Sequence, residues 1–264
     1  MRDNPIVSVV IGTYNRLEFL QHTITTVREE LNATEHEILV IDGGSTDGTT
    51  GWLTDQKDII LIIQHNRGEW NGKQIERKSW GYFMNLGFRA ASGKYICMLS
   101  DDCLVVPGAV KNGIKLFEQG LKSGDKIGAI AFHWRNWPEQ EKYWIGQTWG
   151  NRMFVNHGLY LREALEQIHF IDDSNYIFYH ADGDLCLRLW EEGYKTIASP
   201  DSYIEHFSEA NLPVRSTNLE KQRNDWATYS KKWGHLGEPK PAWLEKSYKD
   251  RHHIAEKYWK DTGS

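Results

Sequence analysis

The first hundred residues alternate between β-branched apolar runs and stretches whose apolar residues recur at helical spacing. The apolar runs are typical of buried strands, and four of them stand out: IVSVVIGTY, HEILVID, DIILIIQHN and KYICMLS. Between them lie two stretches with the spacing of helices, RLEFLQHTITTVREEL and GKQIERKSWGYFMNLGFRAAS, the second closing near Gly93. This alternation predicts a mostly parallel, Rossmann-like sheet with helices on both faces, in which ligands bind beyond the carboxyl ends of the strands.

The second half of the chain shows a different pattern. The segment HADGDLCLRLWEEGYKTIASPDSYIEHF predicts a loop that enters a helix, a helix end at Gly193 and a strand that finishes near His206. From Leu212 onward, Lys, Arg and Trp mix in helix-like stretches, which predicts a helical extension over residues 211–264. Its acids interleave with its bases, so packing on the preceding domain or pairing into a homodimer ranks above contact with an anionic membrane surface.

Composition narrows the class of protein. The chain has 264 residues, 40% of them hydrophobic and 25% charged, which is ordinary for a globular protein. A formal charge of -5 and a pI near 6.1 provide no field that attracts a polyanion, so nucleic acid is not expected as a partner. The three cysteines lack CxxC spacing, and neither a signal peptide nor a membrane span is recognisable. We therefore expect a cytoplasmic protein, with peripheral contact at the inner membrane face as an alternative.

Polar side chains stand where three of the predicted strands end. They are Thr13 to Arg16 after the first strand, Asp42 to Gly48 after the second, and Ser100 to Asp102 after the fourth. Each group alone has a structural explanation, since Asn and Asp cap helices and Asp-Gly forms turns, and Asp47 fits that explanation best. Because the carboxyl ends of parallel strands share one edge of a sheet, the three groups together predict a ligand site there.

The adjacent carboxylates of Asp101 and Asp102 indicate the kind of ligand. Two carboxylates at a strand end repel each other and lose hydration, so hydrogen bonds, basic side chains or a divalent cation usually compensate them. Neither a P-loop nor a GxGxxG turn follows the first strand, so a phosphate would be held in another way. Mn²⁺ or Mg²⁺ bridging an aspartate and a diphosphate would do this, which predicts a metal and nucleotide clamp.

Four segments resemble, in order and spacing, the successive motifs of glycosyltransferase family 2: VSVVIGTYNR, EILVIDGGSTDGT, NLGFRAASGKYICMLSDD and HADGDLCLRLWEEGY. The resemblance covers roughly residues 5–207. It implies the GT-A fold and an inverting enzyme that uses a nucleotide-diphosphate sugar. It also implies a catalytic domain at residues 1–210, divided into a nucleotide-sugar half at 1–104 and an acceptor half at 105–210.

The resemblance assigns roles on the donor side of the site. Asp102 matches the metal-binding carboxylate of the family's Asp-X-Asp motif, Asp101 matches the position that faces the ribose, and Ser100 replaces the first aspartate. Lys78 lies near the position of a family arginine that has no clear equivalent here. Arg16, in the polar turn after the first strand, is expected among the nucleotide contacts.

The nucleotide base has its own predicted contacts. By the same resemblance, Asp42 hydrogen-bonds the base beside a cradling turn of Thr13 and Tyr14, and Gly43 stands where many relatives have a second aspartate. A carboxylate only accepts hydrogen bonds, so Asp42 should select a ring with a donor at its edge, such as uracil or thymine. The prediction is therefore a UDP-sugar donor, or a dTDP-sugar if the ribose contact is weak.

Asp182 and Asp184 stand at the start of the helix in the fourth motif. Both could simply cap that helix, since carboxylates there are stabilised by the helix dipole. By the resemblance, however, Asp182 matches the family's catalytic base, and Ala181 replaces the glutamate before it. An inverting displacement needs one such base to take the acceptor proton. Asp184 is expected to be structural, or in contact with the acceptor or with Arg188.

Other candidates lie near the acceptor side. A lone histidine after a strand is more often a buried, hydrogen-bonded residue, yet His206 matches the family's metal-binding histidine and is the favoured second ligand. Asp172 and Asp173 are expected as polar loop residues near the acceptor entrance. Tryptophans concentrate in residues 133–151, where they could form a sugar-stacking platform or fill the core, and the candidates are Trp134, Trp137 and Trp149.

Three functions fit these observations. The leading one is a metal-dependent inverting glycosyltransferase that transfers a sugar from a nucleotide-diphosphate donor to a saccharide or glycoconjugate acceptor. A catalytically degenerate nucleotide-sugar-binding protein is the rival, because Gly43, Ser100 and Ala181 replace acidic residues of the family. A sugar nucleotidyltransferase is the weaker alternative, since it favours a glycine-rich basic loop after the first strand and GTYNRLEF is not one.

Overall fold

The computed structural model of the chain describes residues 5–66, 68–207, 212–246 and 254–259. These residues form an 11-stranded sheet with helices packed against it, and a separate two-stranded hairpin. The strands are β1 (Val7–Thr13), β2 (His36–Asp42), β3 (Ile59–Ile63), β4 (Glu69–Trp70), β5 (Lys73–Gln74), β6 (Tyr95–Ser100), β7 (Cys103–Val105), β8 (Ile127–Trp137), β9 (Tyr143–Thr148), β10 (Arg152–Met153), β11 (Gly158–Leu161), β12 (Lys195–Phe207) and β13 (Trp243–Lys246). The helices are α1 (Leu17–Leu31), α2 (Thr49–Asp55), α3 (Trp80–Ala90), α4 (Ala109–Lys122), α5 (Arg162–Gln167), α6 (Ala181–Glu191), α7 (Leu212–Trp233) and α8 (Ile254–Trp259), and short 3₁₀ turns lie at Trp149–Asn151 and Gly234–Leu236.

The sheet has a parallel part and a mixed part. Strands β6, β1, β2 and β3 lie side by side and parallel, so that Thr13 pairs with Asp42 and Gly12 pairs with Ser100. Beyond β6, strand β11 is antiparallel to both of its neighbours, whereas β12 is parallel to β8 and antiparallel to β7. The alternating pattern of the first hundred residues thus forms the predicted parallel sheet, and its polar strand ends lie at one edge.

The parallel strands are buried on both faces, which explains their continuous apolar runs. Val9 and Val10, which point to opposite faces of β1, are both fully buried. Helix α3 packs on β1 and β2. A glycine lets this helix approach closely, because a Cβ at Gly87 would come within 2.5 Å of Ile41 and 2.6 Å of Val10.

The structure differs from the sequence prediction before α3. The helix predicted from residue 72 begins only at Trp80, and the residues before it include the hairpin of β4 and β5. Ser79 sets this boundary, since its backbone is extended and its side chain accepts a hydrogen bond from the backbone N–H of Tyr82 at 3.0 Å. Serine is a favoured N-cap, and the polar residues that precede it offer no continuous apolar face to bury.

The described part of the extension packs on the domain. Tyr229 and Trp233 of α7 are 3% and 1% exposed, and strand β13 pairs with β9 at the side of the sheet. Trp259 of α8 lies in a second apolar cluster with Leu104 and Phe207. Packing is therefore observed, whereas a homodimer and membrane contact stay predictions. No helix among the described residues combines the length and the apolar character that crossing a membrane requires.

Candidate active site

A cleft of about 730 Å³ opens where the parallel strands end. Thr13 at the end of β1, Ser100 at the end of β6 and Gly43 after β2 line one side of it. Asp182 at the start of α6 and His206 near the end of β12 line the cleft as well. Residues that are far apart in the sequence thus meet around one space, with the strand ends and the first turn of α6 facing the same volume.

Arg16 forms ion pairs with both aspartates at the end of β6. Its Nη1 lies 2.7 Å from Oδ1 of Asp101 and 2.8 Å from Oδ2 of Asp102, and Thr13 donates to the other oxygen of Asp101 at 2.8 Å. Asp101 and Asp102 are only 4% and 3% exposed. Burial raises the pKa of Asp101, and the charge of Arg16 acts against that rise. The sequence required a hydrogen bond, a basic side chain or a cation here, and the structure supplies the first two.

The neighbouring carboxylates keep the Arg16 guanidinium protonated. Burial by itself would lower the pKa of Arg16, but the neighbouring carboxylates of Asp101 and Asp102 outweigh burial and raise it. Arg16 is therefore a fixed positive charge that lines the cleft. Such a charge suits a diphosphate, whose oxygens accept several hydrogen bonds from a guanidinium.

His206 and Asp102 lie side by side in the lining of the cleft. Its Nε2 lies 3.5 Å from Oδ1 of Asp102, and its Nδ1 lies 2.7 Å from Oδ1 of Asn136. An amide oxygen only accepts hydrogen bonds, so Nδ1 carries a hydrogen. Nε2 therefore faces a carboxylate oxygen, and imidazole nitrogens and carboxylate oxygens are both common ligands of divalent metals. The pair therefore has the chemistry of two ligands to a divalent metal.

The protein ligands of such a metal would be few. Among the residues that the structure describes, no group of three or more His, Cys, Asp or Glu side chains is arranged to hold a metal ion. A cation held by Asp102 and His206 would need its remaining ligands from water and from a diphosphate. Mg²⁺ binds in this way, since it keeps several waters and uses one or two protein groups plus substrate phosphates.

Asp182 contributes a third carboxylate to the cleft. It lies in the first turn of α6, and the backbone N–H of Gly183 donates to its Oδ1 at 2.9 Å. Burial raises the pKa of Asp182 to about 6, although hydrogen bonds from the backbone of Gly183 and of Asp182 itself act to lower it. A carboxyl group with this pKa is mostly ionised at neutral pH, yet it is a stronger base than an ordinary aspartate.

Asp184, two residues further along α6, has a structural environment. Its side chain is fully buried and accepts hydrogen bonds from Tyr176 at 3.1 Å and Arg188 at 2.7 Å. Two further donors come from α7, where Lys232 and Trp233 each approach within 2.8 Å. The predicted contact with Arg188 is thus present, and Asp184 joins the helix that carries Asp182 to the extension.

Asp42 lies beneath the cleft and does not line it. The carboxylate is fully buried, and its Oδ1 accepts from the backbone N–H groups of Gly44 and Ser45 at 3.1 and 2.9 Å and from the Ser45 hydroxyl at 2.7 Å. The hydroxyl of Thr50 donates to Oδ2. Both oxygens therefore shape the loop after β2. The predicted contact with a nucleotide base stays a prediction that none of these hydrogen bonds supports.

The neighbouring Gly43 has a packing explanation. A Cβ at this position would come within 3.2 Å of the Tyr14 ring, which lines the same cleft. A larger side chain therefore fits only if Tyr14 moves. Lys78 also lines the cleft, where its Nζ pairs with Glu76 at 2.7 Å and its backbone N–H donates to Asn66 at 2.6 Å. All the residues predicted to bind the donor or the metal or to act as the base thus line one cleft, except Asp42.

Of the remaining candidates from the sequence, one lines the cleft and the others lie outside it. Trp134 lines the cleft and meets the His206 ring edge-on at 5.8 Å, whereas Trp137 packs on Phe207 at 6.2 Å. Trp149 is 8% exposed and lies behind Trp226 at 5.9 Å. Asp172 and Asp173 are outside the lining of the cleft, where they accept hydrogen bonds from Asn175 and Asn85.

Several lining residues were missed by the sequence prediction. They are mostly aromatic or amide side chains that surround the acidic groups: Asn66, Trp80, Asn136, Phe154, Asn156, Phe178, Tyr179, His180 and Trp243. Phe178 and Tyr179 directly precede the Asp182 motif and His180 is its first residue, and that adjacency was a usable signal. Trp243 had none, because only the pairing of β13 with β9 brings it to the site.

The fold defines the structural class of the protein, which is the GT-A fold of solved glycosyltransferases. The sequence model of glycosyl transferase family 2 matches residues 8–181. The chain belongs to this family, as the four motifs predicted. The predicted GT-A fold is confirmed by the likeness to solved glycosyltransferases.

Two relatives and one solved structure illustrate the likeness. The chain is 30% identical to chondroitin synthase of Escherichia coli over 129 residues, which is 47% of this chain and 17% of that protein. It is 27% identical over 129 residues to an uncharacterized glycosyltransferase of Nostoc sp., covering 47% and 35%. A mannosyltransferase from Pyrobaculum calidifontis, solved in complex with GDP-Man and Mn²⁺, superposes with a TM-score of 0.60 at 17% identity, covering 87% and 65%. The chain spans less than half the length of both curated relatives.

Proposed function

We propose that the chain transfers a sugar from a nucleotide-diphosphate donor to a saccharide or glycoconjugate acceptor, with inversion at the anomeric carbon. The observation that carries the proposal is the shared cleft, in which the basic carboxylate of Asp182 faces the same space as Asp101 and Asp102. An inverting displacement needs a base for the acceptor hydroxyl on one side of the anomeric carbon and a group that stabilises the leaving diphosphate on the other. Asp182 takes the proton of the acceptor hydroxyl, and the other group of residues binds the leaving diphosphate.

The donor side is proposed to hold Mn²⁺ or Mg²⁺ through Asp102 and His206. Such a cation, when bound, neutralises charge on the departing diphosphate. Arg16 contacts both aspartates and lines the cleft, and it is proposed to bind the same diphosphate. Its positive charge then limits the repulsion between the phosphates and the carboxylates. Asp101 is proposed to face the ribose. The solved neighbour with GDP-Man and Mn²⁺ supports a nucleotide sugar and a divalent cation in this fold.

Two observations bear on the nucleotide of the donor, and they favour different nucleotides. A UDP-sugar follows from the family role of Asp42, whose oxygens accept hydrogen bonds within their own loop in this structure. A GDP-sugar is the alternative that the ligand of the solved neighbour favours. Thr13 and Tyr14 line the cleft in either case and are proposed to contact the base.

A donor screen tests this function. Nucleotide sugars are incubated one at a time with Mn²⁺ or Mg²⁺, and the released nucleotide diphosphate is measured with and without a mixture of saccharide acceptors. Wild type should turn over one donor, and Asp182→Asn should bind that donor with unchanged affinity while its turnover falls. Tight binding with no turnover of any donor by wild type would instead support a degenerate nucleotide-sugar-binding protein, the rival that Ser100 and Ala181 suggested.

A further inference from the structure

A second pocket, of about 480 Å³, adjoins the cleft on the side of the extension. His180 lines both spaces. The described residues that complete the second pocket all lie on α7, and they are Gln222, Arg223 and Trp226. His180 is the N-cap of α6 and precedes Asp182 by two residues. The second pocket therefore begins beside the proposed base.

The indole of Trp226 is a fixed platform in this pocket. The residue is 44% exposed, although three aromatic side chains hold it. Its ring centroid lies 5.1 Å from that of His180, 5.9 Å from that of Trp149 and 6.2 Å from that of Tyr229. A large exposed aromatic ring that its neighbours hold in place loses little entropy when a ligand stacks on it.

The two walls of the pocket are held together by a buried carboxylate. Asp225 is 2% exposed, and it accepts hydrogen bonds from the backbone N–H groups of Ile177 at 3.0 Å, Phe178 at 2.9 Å and Tyr179 at 2.8 Å. This carboxylate fixes α7 against the segment that leads to His180. The separation between the Trp226 platform and the proposed base is thus set by the fold.

We infer that this pocket binds the part of a saccharide acceptor that lies beyond the reacting sugar. A sugar ring has an apolar C–H face and a rim of hydroxyls, and the lining matches both. Trp226 supplies an aromatic face, Gln222 can donate and accept hydrogen bonds, and Arg223 donates to a hydroxyl, a ring oxygen or a carboxylate. Polar groups surround the single indole, which favours a saccharide over a lipid chain. The inference rests on the proposed glycosyltransferase function.

The test measures saccharide binding directly. Wild type is applied, with Mn²⁺ and UDP or GDP, to an array of immobilised neutral and uronate-containing oligosaccharides of increasing length. Trp226→Ala should weaken the binding of the recognised saccharide by about tenfold, the equivalent of about 1.4 kcal/mol. Arg223→Ala should weaken it too. Lys231→Ala is the matched control, because Lys231 is exposed on α7 and does not line the pocket.

Donor hydrolysis separates this inference from the proposed function. Without acceptor, the control Lys231→Ala should hydrolyse the donor at the wild-type rate, since Lys231 lines neither the cleft nor the second pocket. If wild type hydrolyses a donor but binds no saccharide, or if Trp226→Ala binds saccharides as tightly as wild type, the subsite is refuted and the proposed function stands. A third outcome would also refute the inference. If wild type binds phosphatidylglycerol vesicles but no saccharide on the array, and Trp226→Ala no longer binds the vesicles, the pocket binds a lipid.

Discussion

Replacing Asp182 with Asn should slow transfer and stabilise the fold at the same time. Burial raises the pKa of Asp182 from an ordinary value of 3.8 to about 6, so the folded state binds this proton more tightly than the unfolded state does. Above pH 6 the ionised carboxylate therefore costs stability. At about 1.4 kcal/mol for each pH unit, the cost reaches about 3 kcal/mol, and solvent in the cleft reduces it to about 1 to 3 kcal/mol.

The uncharged amide removes this cost and keeps the local structure. The Oδ1 of an asparagine can still accept the hydrogen bond that Gly183 donates at 2.9 Å. At pH 7 the melting temperature of Asp182→Asn should therefore rise by about 2 to 10 °C. Transfer should fall by roughly 10²-fold, the effect of losing a general base. The gain in stability should shrink as the pH falls through about 6, because the wild-type carboxyl is then protonated as well.

Asp184→Asn is the matched control on the same helix. Its carboxylate is fully buried and paired with Arg188 and Lys232, so the amide would leave two cations without their partner and should lower the free energy of unfolding by about 3 kcal/mol. The assay is thermal unfolding of both variants across pH 5 to 8, together with the rate of transfer at saturating donor. An Asp182→Asn variant that melts below wild type and keeps its activity would refute the reasoning, since Asp182 would then be a structural cap.

Four further outcomes are expected. The transfer rate of wild type at saturating donor should fall as the pH drops through about 6, a limb that Asp182→Asn should lack. Asp102→Ala should abolish the Mn²⁺-dependent affinity for UDP or GDP in calorimetric titration, and His206→Ala should weaken it less because water can replace the ligand. Asp42→Ala should lower the melting temperature and weaken UDP and GDP alike, whereas a loss confined to UDP would establish a direct base contact. Asp225→Asn should raise the acceptor KM more than it lowers kcat, while equal changes in both would argue against its positioning role.

The sheet and the location of the cleft were predictable because both depend on local pattern. β-Branched runs form buried strands, and polar residues at the carboxyl ends of parallel strands must meet at one edge. Thr13 pairs with Asp42 across β1 and β2, and Gly12 pairs with Ser100 across β1 and β6, as this rule requires. The first turn of α6 was predictable from its motif, by which Asp182 and Asp184 already had different expected roles. In the structure Asp182 lines the cleft and Asp184 is buried.

The hydrogen-bond partners of the carboxylates could not be predicted from the sequence. A strand-end aspartate can satisfy its oxygens with a ligand or with its own loop, and the letters Asp-Gly-Gly-Ser-Thr fit both. At Asp42 the loop supplies the donors, so the carboxylate shapes the wall of the cleft from behind. The paired aspartates posed the same ambiguity between a cation and a basic side chain. Arg16 supplies a basic side chain from a position 85 residues away from Asp101, a separation over which the sequence pattern does not predict contacts.

Helix α6 and the extension are joined by buried hydrogen bonds, although the family match ends at residue 181. Asp184 on α6 accepts hydrogen bonds from Lys232 and Trp233 of α7, while Asp225 of α7 accepts from the backbone just before the base. Removing α7 would take two of the four hydrogen-bond donors from the buried Asp184 and leave three backbone N–H groups without their acceptor, at a cost of a few kcal/mol. The rotation of α6, and with it the direction of Asp182, therefore depends on a helix that lies outside the family match.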